Sequence, residues 1–229
     1  MAKKITSIFL INVIILTSLL GFAGCSKKNT KTILTEPISI EFVDGEAFRF
    51  GEYKIGIDTF MLYALDIAPM FINQFGEDCW AQESIDLGWR REAPQKAFIL
   101  YATDIIASSV ACDAYYKSKG DLKDSIKEAF EKIAHERYEE LLDAGMPEGV
   151  VTEESIYEYL CSTQRLNDVL DELNEANEGN EELVQYAVMA MRDAIDENFD
   201  YDKNINWNLV EAIDYSVVSE INDDQTVEQ

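Results

Sequence analysis

Apart from carboxylates, few side chains of this sequence suit acid–base or nucleophilic chemistry. His135 is the only histidine, so it is the one imidazole available as a general base. It lies among Glu131, Glu136, Glu139 and Glu140, and no Gly-x-Ser-x-Gly motif supplies a nucleophile for it to activate. The 44 acidic residues are so numerous that close carboxylate pairs are expected by chance. We therefore predict a surface histidine and no catalytic site, with a base poised by neighbouring carboxylates as the alternative.

Oxygen-bearing side chains recur near the C-terminus in the spacing of a calcium-binding loop. They occupy positions 1, 3, 5, 7, 9 and 12 of a 12-residue segment: Asp200, Asp202, Asn204, Asn206, Asn208 and Glu211. This spacing is typical of an EF-hand loop, whose oxygen ligands suit Ca²⁺. Position 6 is Ile205, where the sharp turn of such a loop requires glycine. A polar connector that binds no ion is therefore the alternative to a calcium site.

A second group of residues suits binding without chemistry. The region around the first predicted helix is rich in methionine and aromatic side chains, which repack around varied partners. We predict that six of them border an apolar cleft for unfolded or extended polypeptide: Met61, Met70, Phe71, Phe75, Trp80 and Trp89. The alternative is that all six belong to the hydrophobic core.

The first residues have the order of a bacterial lipoprotein signal. Two lysines precede an apolar run over residues 5–20, and small residues lead to Cys25. This ending resembles a lipobox, in which Cys25 is diacylated and begins the mature chain, although Phe22 stands where leucine is usual. We predict a signal peptide over 1–24 and a tether over 25–36, with the chain lipid-anchored on the outer face of the cell membrane. An uncleaved membrane anchor is the alternative.

Composition excludes several classes of function. The 19 basic residues against 44 acidic ones give a formal net charge of −25, which disfavours nucleic-acid binding. A single histidine excludes multi-histidine metal sites. Hydrophobic residues make up 47% of the chain, too many for a disordered acidic tail. Cys79, Cys112 and Cys161 form no Cys-x-x-Cys motif, and we predict that they are buried free thiols.

The apolar spacing predicts the elements that must position these candidates. The expected fold is all-α, a helical bundle of about five helices with a small N-terminal β-hairpin that turns at Asp44–Gly45. The bundle forms one domain over 37–221, followed by a disordered tail over 222–229. Phe130 is expected on the inner face of the third helix. The helices are predicted at about 58–74, 94–117, 121–145, 152–173 and 181–198.

The order of these elements resembles that of one known family. The features that carry the resemblance are the lipobox, Val43-Asp44-Gly45, Phe75-Gly76 to Trp80, Ala114 to Gly120, Leu122 to Asp124 and Gly149 to Glu154. Over residues 41–173 this layout is similar to the N-terminal chaperone domain of SurA/PrsA-type foldases. These foldases are extracytoplasmic peptidyl-prolyl isomerases, many of them lipoproteins.

The resemblance implies a chain that binds unfolded or secreted polypeptide. Such foldases insert a parvulin domain after the equivalent of the helix that begins at Thr152. Here only residues 173–229 follow that helix, and they contain no histidine. We therefore expect polypeptide binding without proline isomerisation. The alternative is a structural or calcium-dependent interaction protein of the cell envelope.

Overall fold

The predicted all-α fold with a small hairpin is confirmed. The computed structural model describes residues 42–146, 148–215 and 218, and this part contains seven α-helices, five of them long. The elements in chain order are β1 (Glu46–Phe50), β2 (Tyr53–Gly56), α1 (Ile57–Phe75), a 3-10 turn (Cys79–Ala81), β3 (Ile85–Asp86), β4 (Arg91–Glu92), α2 (Pro94–Lys119), α3 (Asp124–Asp143), α4 (Glu153–Ala176), α5 (Glu181–Asp196), α6 (Tyr201–Asn204) and α7 (Trp207–Val210).

Helix α2 is the centre of the bundle. Every residue from Ala97 to Ser109 is buried, so all sides of this helix are covered. Helices α1, α4 and α5 pack against it, and Pro94 begins it at the first helical turn, where proline loses no hydrogen bond. By length and composition α2 is also the one helix of the described residues able to span a membrane. However, 83% of its most apolar window is buried inside the protein, as expected for a core helix.

The β-hairpin is present, but its turn lies later than predicted. Strands β1 and β2 are joined by Gly51–Glu52, whereas Asp44–Gly45 forms a turn that precedes β1. Gly51 has a φ of +59°, which suits the first loop position of a type II′ turn. A Cβ atom there would lie 2.8 Å from the Ile195 carbonyl oxygen, so the site requires glycine for space as well. The predicted partner strand before Phe42 lies outside the described residues.

Helices α3 and α4 form the outer pair of the bundle. Thr152, where this helix was predicted to begin, caps α4: its Oγ1 accepts a hydrogen bond from the Ser155 backbone N–H at 3.0 Å. Of the residues in α3, only Ala134 and Leu141 are buried. Phe130 lies on the same side of α3 as these two residues, as predicted, but it is only half-buried and is not part of the core. The helical spacing identified the apolar side of α3 but not how much of it α4 covers.

Candidate functional site

The structure separates the six predicted cleft residues into two groups. Met61 and Phe71 are core residues, with 5% and 0% of their surface exposed. The ring of Phe71 lies 5.3 Å from that of Phe98, at the centre of an aromatic cluster. Met61 and Phe71 therefore stabilise the fold and do not border a cleft. The other four are partly buried and pack against the core: Met70, Phe75, Trp80 and Trp89.

Phe75 and Trp89 line a shallow recess between α1, α2 and the β3–β4 hairpin. Three of its seven lining residues are aromatic, and one of them, Tyr101, donates a hydrogen bond to Gln74 Oε1 at 2.9 Å. It encloses only about 10 Å³, the space of roughly one water molecule, whereas typical ligand pockets measure roughly 300–1,000 Å³. An extended polypeptide therefore has no room inside it. The lining residues are Gln74, Phe75, Leu87, Trp89, Leu100, Tyr101 and Asp104.

The carboxylate that lines this recess is part of a buried polar network. Asp104 Oδ1 accepts a hydrogen bond from the Tyr201 hydroxyl at 2.7 Å and lies 2.7 Å from Arg192 Nη2. Burial by itself lowers the pKa of Arg192, but the Asp104 carboxylate more than reverses this and the pKa is raised. The guanidinium therefore stays charged. The ring of Trp89 stacks on that of Tyr201 at 5.0 Å, so the network fixes one wall of the recess.

The predicted calcium loop is folded as two short helices, α6 and α7, separated by Ile205 and Asn206. Two of the six candidate ligands fasten this segment to β1: Asn204 Nδ2 donates to the Arg49 carbonyl at 3.1 Å, and Asn206 Nδ2 donates to the Glu46 carbonyl at 3.0 Å.

The acidic candidates of this segment have partners or are exposed. Asp200 pairs with Lys203 and Asp202 pairs with Arg90, both at 3.0 Å. Asn208 and Glu211 are exposed. Within the described residues no three His, Cys, Asp or Glu side chains form a group that could hold a metal ion. Ile205 has a φ of −101°, so the segment makes no glycine-type turn.

Two further sequence predictions are confirmed by side-chain placement. The His135 side chain is 62% exposed, and its Nδ1 lies 3.0 Å from Glu153 Oε1, a hydrogen bond that raises the pKa of the imidazole.

Cys79, Cys112 and Cys161 are buried free thiols. Burial and the neighbouring Asp113 carboxylate raise the pKa of Cys112 to about 12. This thiol is therefore protonated at neutral pH, which suits a core residue and not a nucleophile.

An uncovered apolar surface lies on α5, where it was not predicted. Leu183, Tyr186 and Met189 expose 47%, 58% and 37% of their surfaces. They are three of the four exposed large hydrophobic residues in the described part of the chain. The fourth, Val43, lies apart from them before β1. We call these three residues and the small exposed residue Ala190 the α5 apolar face.

The opposite side of α5 is buried against the bundle. Val184 and Val188 each expose 1% of their surface, and Arg192 reaches inward to Asp104 of α2. The apolar arc of α5 is therefore broad, and the bundle covers only part of it. A helix of a globular protein usually has a single apolar stripe and a polar outer side. The α5 apolar face is thus the best candidate for a binding surface in the described residues.

Acidic residues border this face. Glu182, Asp193 and Glu197 are all exposed on the outer side of α5 or at its end. Arg192 is the only basic residue of the helix, and it forms an ion pair with Asp104 of α2. The outer side of α5 therefore combines apolar side chains with negative charge alone.

The predicted lipidation site, Cys25, lies outside the described residues. Comparison with known proteins adds no relative to this geometry. No protein-family model, curated protein or solved structure matches the chain.

Proposed function

We propose that this chain is a membrane-tethered extracytoplasmic lipoprotein that binds unfolded or secreted polypeptide without catalysing a reaction on it. The observation that carries the proposal is the α5 apolar face, on which Leu183, Tyr186 and Met189 expose between 37% and 58% of their surfaces. Apolar side chains that stand together on a surface mark interaction sites more often than scattered ones do.

The types of side chain on this face favour a polypeptide partner. Methionine is flexible and polarisable, and tyrosine offers a broad ring with a polar tip, so both adapt to partners of different shape. The face is convex and lies along a helix, whereas small molecules bind in concave sites. An extended or helical segment of another chain can follow α5 over several turns, and this supports a polypeptide as the ligand.

Suppression of aggregation tests the binding function. The purified chain is added to a chemically denatured client protein that aggregates on dilution, and light scattering is followed. We expect suppression by the wild type and a substantial loss of it in the Leu183→Ala/Tyr186→Ala double variant, because alanine keeps the helix but removes most of the exposed apolar area. Val43→Ala is the matched control, since Val43 is equally exposed but lies off the face. Suppression that is unchanged in the double variant would contradict the assignment.

The proposed tether rests on the lipobox-like ending at Cys25. Metabolic labelling with a fatty acid tests it in a bacterial host that processes lipoproteins. Cys25→Ser should abolish the labelling, because serine has no thiol to form the thioether to a diacylglyceryl group. The Cys79→Ser variant should be labelled as the wild type is. Equal labelling of the Cys25→Ser variant would exclude the lipid anchor at this residue.

A further inference from the structure

We infer that the α5 apolar face selects polypeptide segments that carry basic residues beside apolar ones. The inference rests on the proposed function and names the chemistry of the polypeptide that is bound. It is carried by the arrangement of exposed charge around the face and not by the apolar residues alone.

Helical geometry places the acidic residues beside and among the apolar side chains of the face. Successive residues of an α-helix are rotated by about 100°, so residues three, four and seven positions apart lie on the same side. Leu183, Ala187, Ala190 and Ala194 therefore form one apolar strip, and three exposed carboxylates follow along one border of this strip: Glu182, Asp193 and Glu197. Tyr186 lies between Glu197 and Asp193 around the helix, and Met189 lies just beyond Glu182.

No basic side chain on α5 offsets these carboxylates. Arg192 is turned toward the bundle, where its Nη2 lies 2.7 Å from Asp104 Oδ1. None of the three border carboxylates is paired with a cation among the ion pairs of the described residues. A bound segment with lysine or arginine next to its apolar residues would place cations against this border. Apolar contact and charge complementarity then act on the same partner.

The charge of the whole molecule favours the same partner. A formal net charge of −25 steers basic segments toward the protein and repels acidic ones. A second copy of this chain would bring the same acidic border and the same net charge to the interface. An anionic membrane surface would be repelled for the same reason. A basic and apolar polypeptide is not repelled by the negative charge of the protein, so it is the favoured occupant of the face.

Three peptides that differ only in their flanks test the inference with the full-length chain. Each peptide has the same apolar centre, flanked by lysine, by glutamine or by glutamate, and binding is measured by fluorescence anisotropy. We expect the lysine-flanked peptide to bind most tightly and the glutamate-flanked peptide least, with the preference falling as salt is added. Neutralising the border in a Glu182→Gln/Asp193→Asn/Glu197→Gln variant should weaken lysine-peptide binding about fivefold, as three exposed ion pairs allow. Glutamine-peptide binding should stay unchanged.

A second triple variant separates the local border from the overall charge. Glu128→Gln/Glu131→Gln/Glu139→Gln removes the same number of charges from exposed positions on α3. It should retain the preference for the lysine-flanked peptide. Equal affinity of the wild type for all three peptides would overturn the inference while leaving the proposed function intact. If both triple variants lost the same amount of affinity for the lysine-flanked peptide, the inference would also be overturned. The net charge of the protein alone would then explain the preference.

The remaining outcomes separate the inference from the function on which it rests. If no peptide binds and aggregation is not suppressed, the proposed function itself fails. If the chain forms dimers that the Leu183→Ala/Tyr186→Ala variant does not form, the occupant of the face is a second copy, and the inference is overturned.

Discussion

At the scale of single residues, Asp66 shows how polar chemistry is used inside the bundle. This residue of α1 accepts a hydrogen bond from the Tyr159 hydroxyl of α4. The Tyr159 ring meets the Tyr63 ring edge to face at 4.8 Å, and the Tyr63 hydroxyl lies 2.5 Å from Ser109 Oγ of α2. Burial raises the pKa of Asp66, although the Tyr159 hydroxyl and the positive charge of Arg137 act in the opposite direction. The Asp66 carboxyl group thus links α1 by a hydrogen bond to α4, a helix distant from it in the sequence.

The raised pKa of Asp66 predicts a stability that depends on pH. Because the folded state binds the proton more tightly than the unfolded state does, this carboxyl stabilises the fold most below the ordinary aspartate pKa of about 4. That contribution is lost as pH rises through the raised value in the folded state. Asp66→Asn cannot ionise, so its free energy of unfolding relative to the wild type should increase as pH rises from 4 to 7. Urea denaturation at several pH values checks this, and a difference that is independent of pH would contradict it.

At the scale of elements, the segment that resembles a calcium loop acts as a fastening for the hairpin. The Asn206 backbone N–H donates to the Ala47 carbonyl at 2.8 Å, and its side chain donates to the Glu46 carbonyl at 3.0 Å. Ile205, which replaces the glycine of a calcium loop, is buried and bridges to Phe48 of β1. An isoleucine at position 205, which departs from the calcium motif, is therefore what the packing against β1 requires.

These hydrogen bonds predict that substitutions of Asn206 and Asn208 affect the stability of the fold differently. Asn206→Asp replaces an amide donor with a carboxylate that faces a carbonyl oxygen, so it should lower the free energy of unfolding by about 1–3 kcal/mol. Asn208 is exposed, and Asn208→Asp should change the stability by less than about 0.5 kcal/mol. Both values come from urea denaturation with and without added calcium. A stabilisation of Asn206→Asp by calcium would instead indicate an ion-binding loop.

The long helices were predictable because their apolar spacing and their caps agree. Each predicted end lies within three residues of the observed one, as at Pro94 and at the Thr152 cap. The hairpin turn was misplaced because Asp44–Gly45 and Gly51 are both turn signals, and it is Gly51 that packs against Ile195 in the folded chain. Local sequence carries no information about that contact.

The candidate site was less predictable than the fold. Richness in methionine and phenylalanine led to α1, but such residues also fill cores, and Phe71 is fully buried. The signal for α5 was available in the sequence. Its apolar residues form one broad arc that runs from Leu183 and Ala190 to Val184 and Val188. Which part of this arc the bundle covers depends on how α5 packs against α2, and the spacing does not determine this.

At the scale of the whole molecule, strong negative charge and an uncovered apolar face occur together. A net charge of −25 makes two copies of the chain repel each other, which opposes self-association through the exposed apolar residues of α5. The core does not depend on that face, because α2 is already enclosed by α1, α4 and α5. The face is therefore free to bind another chain without loss of the fold.

Site-specific photocrosslinking tests this central claim most directly. A photoreactive phenylalanine analogue replaces Tyr186 on the α5 apolar face, and a control protein carries it at the exposed Ala129 of α3. Each protein is irradiated with a denatured client, and adducts are counted by mass spectrometry. The account predicts adducts from position 186 and few or none from position 129. Equal adducts from both positions, or adducts from position 129 alone, would contradict it.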